Sequence, residues 1–277
     1  MNVDLVRVLA LQLALLAAPA SAEPPSRDAA QNASQERLAK SPRHHEYVDV
    51  GSGPAAVRAF VVYPESAAKA PVVVVIHENK GLTDWVRSFA DRLAEAGFIA
   101  IAPDLLSRFD ETHADTAAFG GDDAARAALY KLDPQQVLSR LVAARDYAAQ
   151  IPAGNGKVAS VGFCRGGGQS YRLASASPDL AAAVVFYGTA PEDPEALRAI
   201  RAPIHGFYGG RDERVNATLA ATQKAFTDLA KSFDSKIYDG AGHGFMRIGE
   251  DAAAPEADRK ARDQAWTRLV EILGNLR

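Results

Sequence analysis

The apolar positions along the chain follow two rhythms. Pro71–Ile76 is an unbroken, mostly β-branched run, and Phe98–Ala102, Lys157–Phe163, Ala181–Tyr187 and Ile204–Tyr208 are similarly short and apolar. Runs of this kind are the mark of strands buried on both faces of a parallel sheet. Tyr47–Val50 and Val57–Tyr63 read as strands parted by the turn-prone Gly51-Ser52-Gly53-Pro54, and Asp234–Tyr238 as a short strand. Between these segments the period lengthens. Asp84–Ala96 sets Trp85, Phe89 and Leu93 four apart and stops at Gly97, which predicts a helix. Pro134 opens a second, with Val137, Leu138, Leu141 and Val142 on its apolar face towards Ala149. Helices are also expected at Gly166–Ala174, Ala217–Lys231 and Ala257–Leu273. Strands alternating with helices predict an α/β fold, a mostly parallel central sheet with helices on both faces, as one domain over residues 44–277. Ser107–Leu132 breaks the pattern and is read as a lid or a plain insertion.

The first residues obey another logic. Arg7, the apolar run Val8–Ala18 and the small-residue site Ala20-Ser21-Ala22 have the layout of a signal peptide over residues 1–22. The expectation is an exported, periplasmic or secreted protein, with polar residues 23–43 as a mobile leader. Cleavage leaves a size that one α/β domain fills. At 48% hydrophobic residues and 23% charged, the chain has the means to bury a core. A net charge of −3 gives no reason to expect nucleic-acid binding, and no other stretch is apolar for long enough to span a membrane. The single cysteine cannot form an intramolecular disulfide, so it is either buried and inert or kept for its chemistry.

That cysteine lies in Val158-Ala-Ser-Val-Gly-Phe-Cys-Arg-Gly-Gly-Gly168, an apolar strand running through Gly162-x-Cys164-x-Gly166 into a helix. The arrangement is a nucleophile elbow with sulfur in place of the hydroxyl. Its glycines let backbones approach a strained turn, and the helix N-terminus favours thiolate. The Arg165 N–H would face a developing oxyanion. A base and its orienting acid should follow in the order acid, then histidine. Asp212 closes Tyr208-Gly-Gly-Arg-Asp212 after one strand, and His243 stands in Asp239-Gly-Ala-Gly-His243 after another. His77-Glu78-Asn79-Lys80-Gly81 follows the first buried strand, on the loop that supplies a second oxyanion N–H in hydrolases of this build. His77-Glu78 lacks the second histidine of a zinc motif, so no metal site is expected.

Together, His77-Glu78-Asn79-Lys80-Gly81, Ala102-Pro103-Asp104-Leu105, Gly162-Phe163-Cys164-Arg165-Gly166-Gly167, Gly210-Arg211-Asp212 and Gly242-His243-Gly244-Phe245 resemble the dienelactone hydrolase (carboxymethylenebutenolidase) family of the α/β-hydrolase superfamily. The resemblance runs from about Tyr47 to Leu273. It implies Cys164 as nucleophile, His243 as base, Asp212 as its orienter, and Glu78 as the residue that contacts the resting thiol and helps convert it to thiolate. It implies an oxyanion hole from the N–H groups of Asn79 and Arg165. Arg247, four residues after His243, and the pair Arg126 and Tyr130 match positions that hold the substrate carboxylate. Two features depart from the family pattern: the export signal, and the charge of Arg165 directly after the nucleophile.

The expected activity is hydrolysis of a small-molecule lactone or carboxylic ester, with or without a carboxylate, through an acyl-cysteine and with no cofactor. The expected acting unit is a monomer without a membrane or nucleic-acid partner. The rival readings are a general carboxylesterase or thioesterase, a non-catalytic binding protein on a hydrolase fold, and a redox sensor, which would lack a resolving cysteine.

Overall fold

Alternate residues of the valine run face opposite layers, and that alternation organises the molecule. The structure is a computed structural model and describes residues 27–277; the expected signal peptide, residues 1–22, lies outside the described residues. Eight strands form one sheet: β1 (His45–Val50), β2 (Val57–Val62), β3 (Ala70–Ile76), β4 (Ile99–Pro103), β5 (Gly154–Phe163), β6 (Ala182–Phe186), β7 (Ile204–Gly209) and β8 (Phe233–Tyr238). Their order is β1-β2-β4-β3-β5-β6-β7-β8. β2 is antiparallel to β1 and β4, and every other pairing is parallel.

The helices are α1 (Arg27–Lys40), α2 (Asp84–Glu95), α3 (Asp122–Leu129), α4 (Pro134–Gln150), α5 (Arg165–Ala176), α6 (Pro194–Ala199), α7 (Glu213–Asn216), α8 (Leu219–Asp228), α9 (Phe245–Ile248) and α10 (Glu256–Gly274). Val72, Val74 and Ile76 join Val137 and Leu141 of α4, Tyr171 and Leu173 of α5 and Phe226 of α8 in one core. Val73 and Val75 join Trp85, Phe89 and Leu93 of α2 and Leu269 and Leu273 of α10 in the other. A strand with both faces covered needs no polar residue, which is why β3 is unbroken in sequence.

Two stretches depart from expectation. The leader predicted as mobile is helical from Arg27 to Lys40. Its end is tied to α2 by polar contacts: Arg37 pairs with Asp91 and Glu95, and Arg43 holds both oxygens of buried Asp91, each at 2.8 Å. α1 carries no apolar stripe, so its docking could not be read from periodicity. The irregular Ser107–Leu132 stretch contains α3, which sends Ala125, Ala128 and Leu129 into the first core. It is anchored as well by Asp104, whose carboxylate accepts the Thr116 N–H and hydroxyl at 2.7 Å each.

Candidate active site

Parallel strands deliver their C-terminal ends to one edge of the sheet, and loops there converge. Glu78 and Asn79 follow β3, Cys164 follows β5, Tyr187 follows β6, Asp212 follows β7 and His243 follows β8. Of these, all but Asp212 line one cavity of about 440 Å³, together with Tyr130, Arg165, Gly168, Gly188, Thr189, Arg214 and Arg247.

Cys164 sits at φ 54° and ψ −115°, a backbone conformation that side chains disfavour. Close packing sustains it. A Cβ on Gly162 would collide with the Gly166 carbonyl, and one on Gly166 with the carbonyls of Ile76 and His77. The thiol stands at the N-terminus of α5, with Arg165 as the first helical residue, whose N–H has no intrahelical acceptor.

His243 Nδ1 lies 2.5 Å from Asp212 Oδ2. The other oxygen of Asp212 accepts the Val215 N–H at 3.4 Å and so caps α7. One carboxylate thus both starts a helix and orients the imidazole. Burial disfavours charge on His243, but the sulfur of Cys164 and the carboxylate of Asp212 outweigh it, and the pKa is pushed up to about 9. The ring also packs against Tyr187, with centroids 4.9 Å apart.

The resemblance implied a contact of Glu78 with the resting thiol; the hydrogen bonds its carboxylate makes here are to Arg247 and Tyr187. Its Oε2 accepts Arg247 Nε–H at 2.8 Å, and its Oε1 accepts the Tyr187 hydroxyl at 3.5 Å. The carboxylate is therefore directed to the guanidinium, while the thiol lies beside His243. A buried carboxylate takes the strongest charge partner within reach, and Arg247 on α9 is that partner.

The expected carboxylate-binding residues divide. Arg247 and Tyr130 line the cavity, whereas Arg126 pairs with Asp123 on its own helix at 2.7 Å and is not brought to it. The three-residue spacing along α3 puts that acid within reach of Arg126 on the same face. Arg165 is engaged by the end of α3. It donates to the Leu129 carbonyl at 3.1 Å, and its guanidinium lies 5.6 Å from the centre of the Tyr130 ring. The unexpected partner is Arg214, the second residue of α7, which makes no ion pair among the described residues. Its position two residues past Asp212 was the available signal. Tyr187 and Thr189 were missed too, though β6 ends at the same sheet edge as β5. Trp85 and Phe245 are core residues. Among the described residues, no cluster of three or more His, Cys, Asp or Glu side chains is arranged to hold a metal ion.

A thiol, a half-buried histidine paired with a buried aspartate, and backbone N–H groups at one cavity are the groups that acyl transfer uses. The sequence relatives agree. A Saccharolobus solfataricus protein named "Putative carboxymethylenebutenolidase" is 30% identical over 79% of this chain and 94% of its own. A Bradyrhizobium protein named "Probable 2-oxo-3-(5-oxofuran-2-ylidene)propanoate lactonase" is 29% identical over 78% of this chain and 90% of its own. In fold, the chain matches a crystal structure named as a "Putative Dienelactone Hydrolase" from Klebsiella pneumoniae, with a TM-score of 0.72 and 24% identity over 84% of this chain and 98% of that one. The family model described as "Dienelactone hydrolase family" matches residues 57–276, and the chain belongs to that family of hydrolases acting on ester bonds.

Proposed function

We propose that this hydrolase is exported and opens a lactone or cleaves a carboxylic ester, through an acyl-cysteine formed on Cys164. The observation that carries the reading is the His243–Asp212 pair, 2.5 Å apart, with His243 and Cys164 at the wall of one cavity that also exposes Asn79 and the start of α5.

In this reading, thiolate attacks the carbonyl carbon and the electron pair moves to the oxygen, which accepts the N–H groups of Asn79 and Arg165. Each such donor is worth about 10²–10³ in rate. The intermediate collapses, the C–O bond breaks, and the leaving oxygen takes the proton from His243. A thioester remains. Acylation neutralises the sulfur, removing its upward pull on the His243 pKa, so the ring is freed to act as a base. His243 then takes a proton from water as it attacks, the C–S bond breaks, and acid and thiolate are regenerated. The proposed active unit is the monomer. Export rests on the charge, apolar run and small-residue site of residues 1–22.

The test is turnover of a dienelactone and of a neutral aryl acetate by wild type and Cys164→Ala. Lactone turnover lost in the variant is expected. Acetate turnover alone would retain the nucleophile and discard the lactone, and no turnover by a verified reduced thiol would leave a binding protein. N-terminal sequencing of protein from a periplasmic fraction is expected to start at Glu23.

A further inference from the structure

His77 takes no part in the relay and is fully buried, 2% exposed, directly before the oxyanion loop. Both of its ring nitrogens are engaged. Nδ1 lies 2.7 Å from the carbonyl oxygen of Glu78, and Nε2 lies 3.2 Å from the Leu105 backbone nitrogen. A backbone N–H can only donate, so Nε2 must accept, and the ring is neutral with its proton on Nδ1. That proton is therefore donated to the Glu78 carbonyl. Burial keeps the ring pKa below its ordinary value, despite the charge of Asp104 nearby.

The Glu78 carbonyl and the Asn79 N–H belong to one peptide unit. There are no cis peptides among the described residues, so the two bonds point in opposite directions. Drawing the carbonyl inward to His77 turns the N–H outward, and Glu78 and Asn79 both line the cavity. No acceptor among the described residues takes that N–H. Rotation of this peptide by half a turn would place a carbonyl oxygen where the oxyanion forms.

We infer that His77 is a positioning residue for catalysis: its Nδ1–H holds the Glu78–Asn79 peptide so that the Asn79 N–H faces the reacting carbonyl, and Leu105 sets the tautomer that makes this possible. The loop after β4 thereby controls a donor on the loop after β3. Asp104 N–H, bound to the Arg58 carbonyl at 2.8 Å, and Leu105 O, bound by Arg140 Nη1 at 2.5 Å, hold that loop in place. The inference rests on the reading of Cys164 as nucleophile.

The test separates the oxyanion hole from the nucleophile by comparing ester turnover with alkylation of Cys164 by iodoacetamide, which needs the thiolate and no oxyanion donor. His77→Leu is expected to lower kcat about 100-fold, with KM and the alkylation rate within about twofold of wild type. His77→Asn keeps a donor near the position of Nδ1–H and is expected to recover at least tenfold of that loss. His77→Gln, which reaches the Leu105 N–H but has no donor at the δ position, is expected to recover less. A kcat within about threefold of wild type in His77→Leu overturns the inference, as does alkylation falling in step with kcat. If His77→Leu does not fold, equal kcat in the Asn and Gln variants overturns it. A wild-type protein that turns over no ester overturns both this and the catalytic reading, before any variant is made.

Discussion

Arg247 donates its Nε–H to Glu78 Oε2 at 2.8 Å, joining α9 to the loop after β3 across 169 residues. The cavity is thus lined by three guanidinium groups, Arg165, Arg214 and Arg247, and by one carboxylate, Glu78, already spoken for. An anionic substrate meets an excess of positive charge, and its carboxylate competes with Glu78 for Arg247.

Arg247→Gln strands the Glu78 carboxylate. Since the pair is only partly buried, the expected cost is about 2 kcal/mol, or about 5 °C in Tm. KM for a carboxylated lactone should rise about tenfold, while KM for a neutral aryl acetate stays within about twofold. Glu78→Gln frees the arginine and should lower KM for the carboxylated substrate. Steady-state kinetics on the two substrates and thermal unfolding check all three.

Arg214 and Arg126 make an internal control. Arg214 reaches the cavity, and Arg126 is held by Asp123 away from it. Arg214→Gln should raise KM for the carboxylated substrate about tenfold, the loss of about 1.4 kcal/mol of anion binding. Arg126→Gln should leave KM for either substrate unchanged.

The pKa of His243, about 9, depends in part on the sulfur beside it. Carboxamidomethylation of Cys164 should therefore move the ring titration down towards its ordinary value, as followed by NMR of the imidazole. The folded pKa is above the unfolded one, so the stabilisation is complete below about pH 6.5 and is lost as pH rises through about 9. Denaturant midpoints of wild type should fall across that window, and less steeply in Cys164→Ala.

Gly166→Ala puts a Cβ against the carbonyls of Ile76 and His77, which are backbone atoms and cannot rotate aside. The variant should lose about 3 kcal/mol or more of stability together with all esterase activity. Gly274→Ala, where a Cβ meets nothing within 4 Å, should cost nothing measurable in the same urea titration.

Much of this was legible in the chain itself. The valine run of β3, the spacing of Trp85, Phe89 and Leu93, and the Gly-x-Cys-x-Gly turn each express a local rule, so strand, helix and elbow could be placed without coordinates. Chain order alone then singled out Asp212 and His243, which the fold brings to 2.5 Å. The partners that side chains choose across the sheet were another matter. Glu78 to Arg247, Arg165 to the Leu129 carbonyl, Arg43 to Asp91, and His77 between Glu78 and Leu105 join residues far apart in sequence or settle a peptide's direction. Each is decided by which charge or donor lies nearest once water has been removed, a competition with no local signature. Periodicity reports which face of an element is buried; only the packed structure determines which polar groups must satisfy one another there.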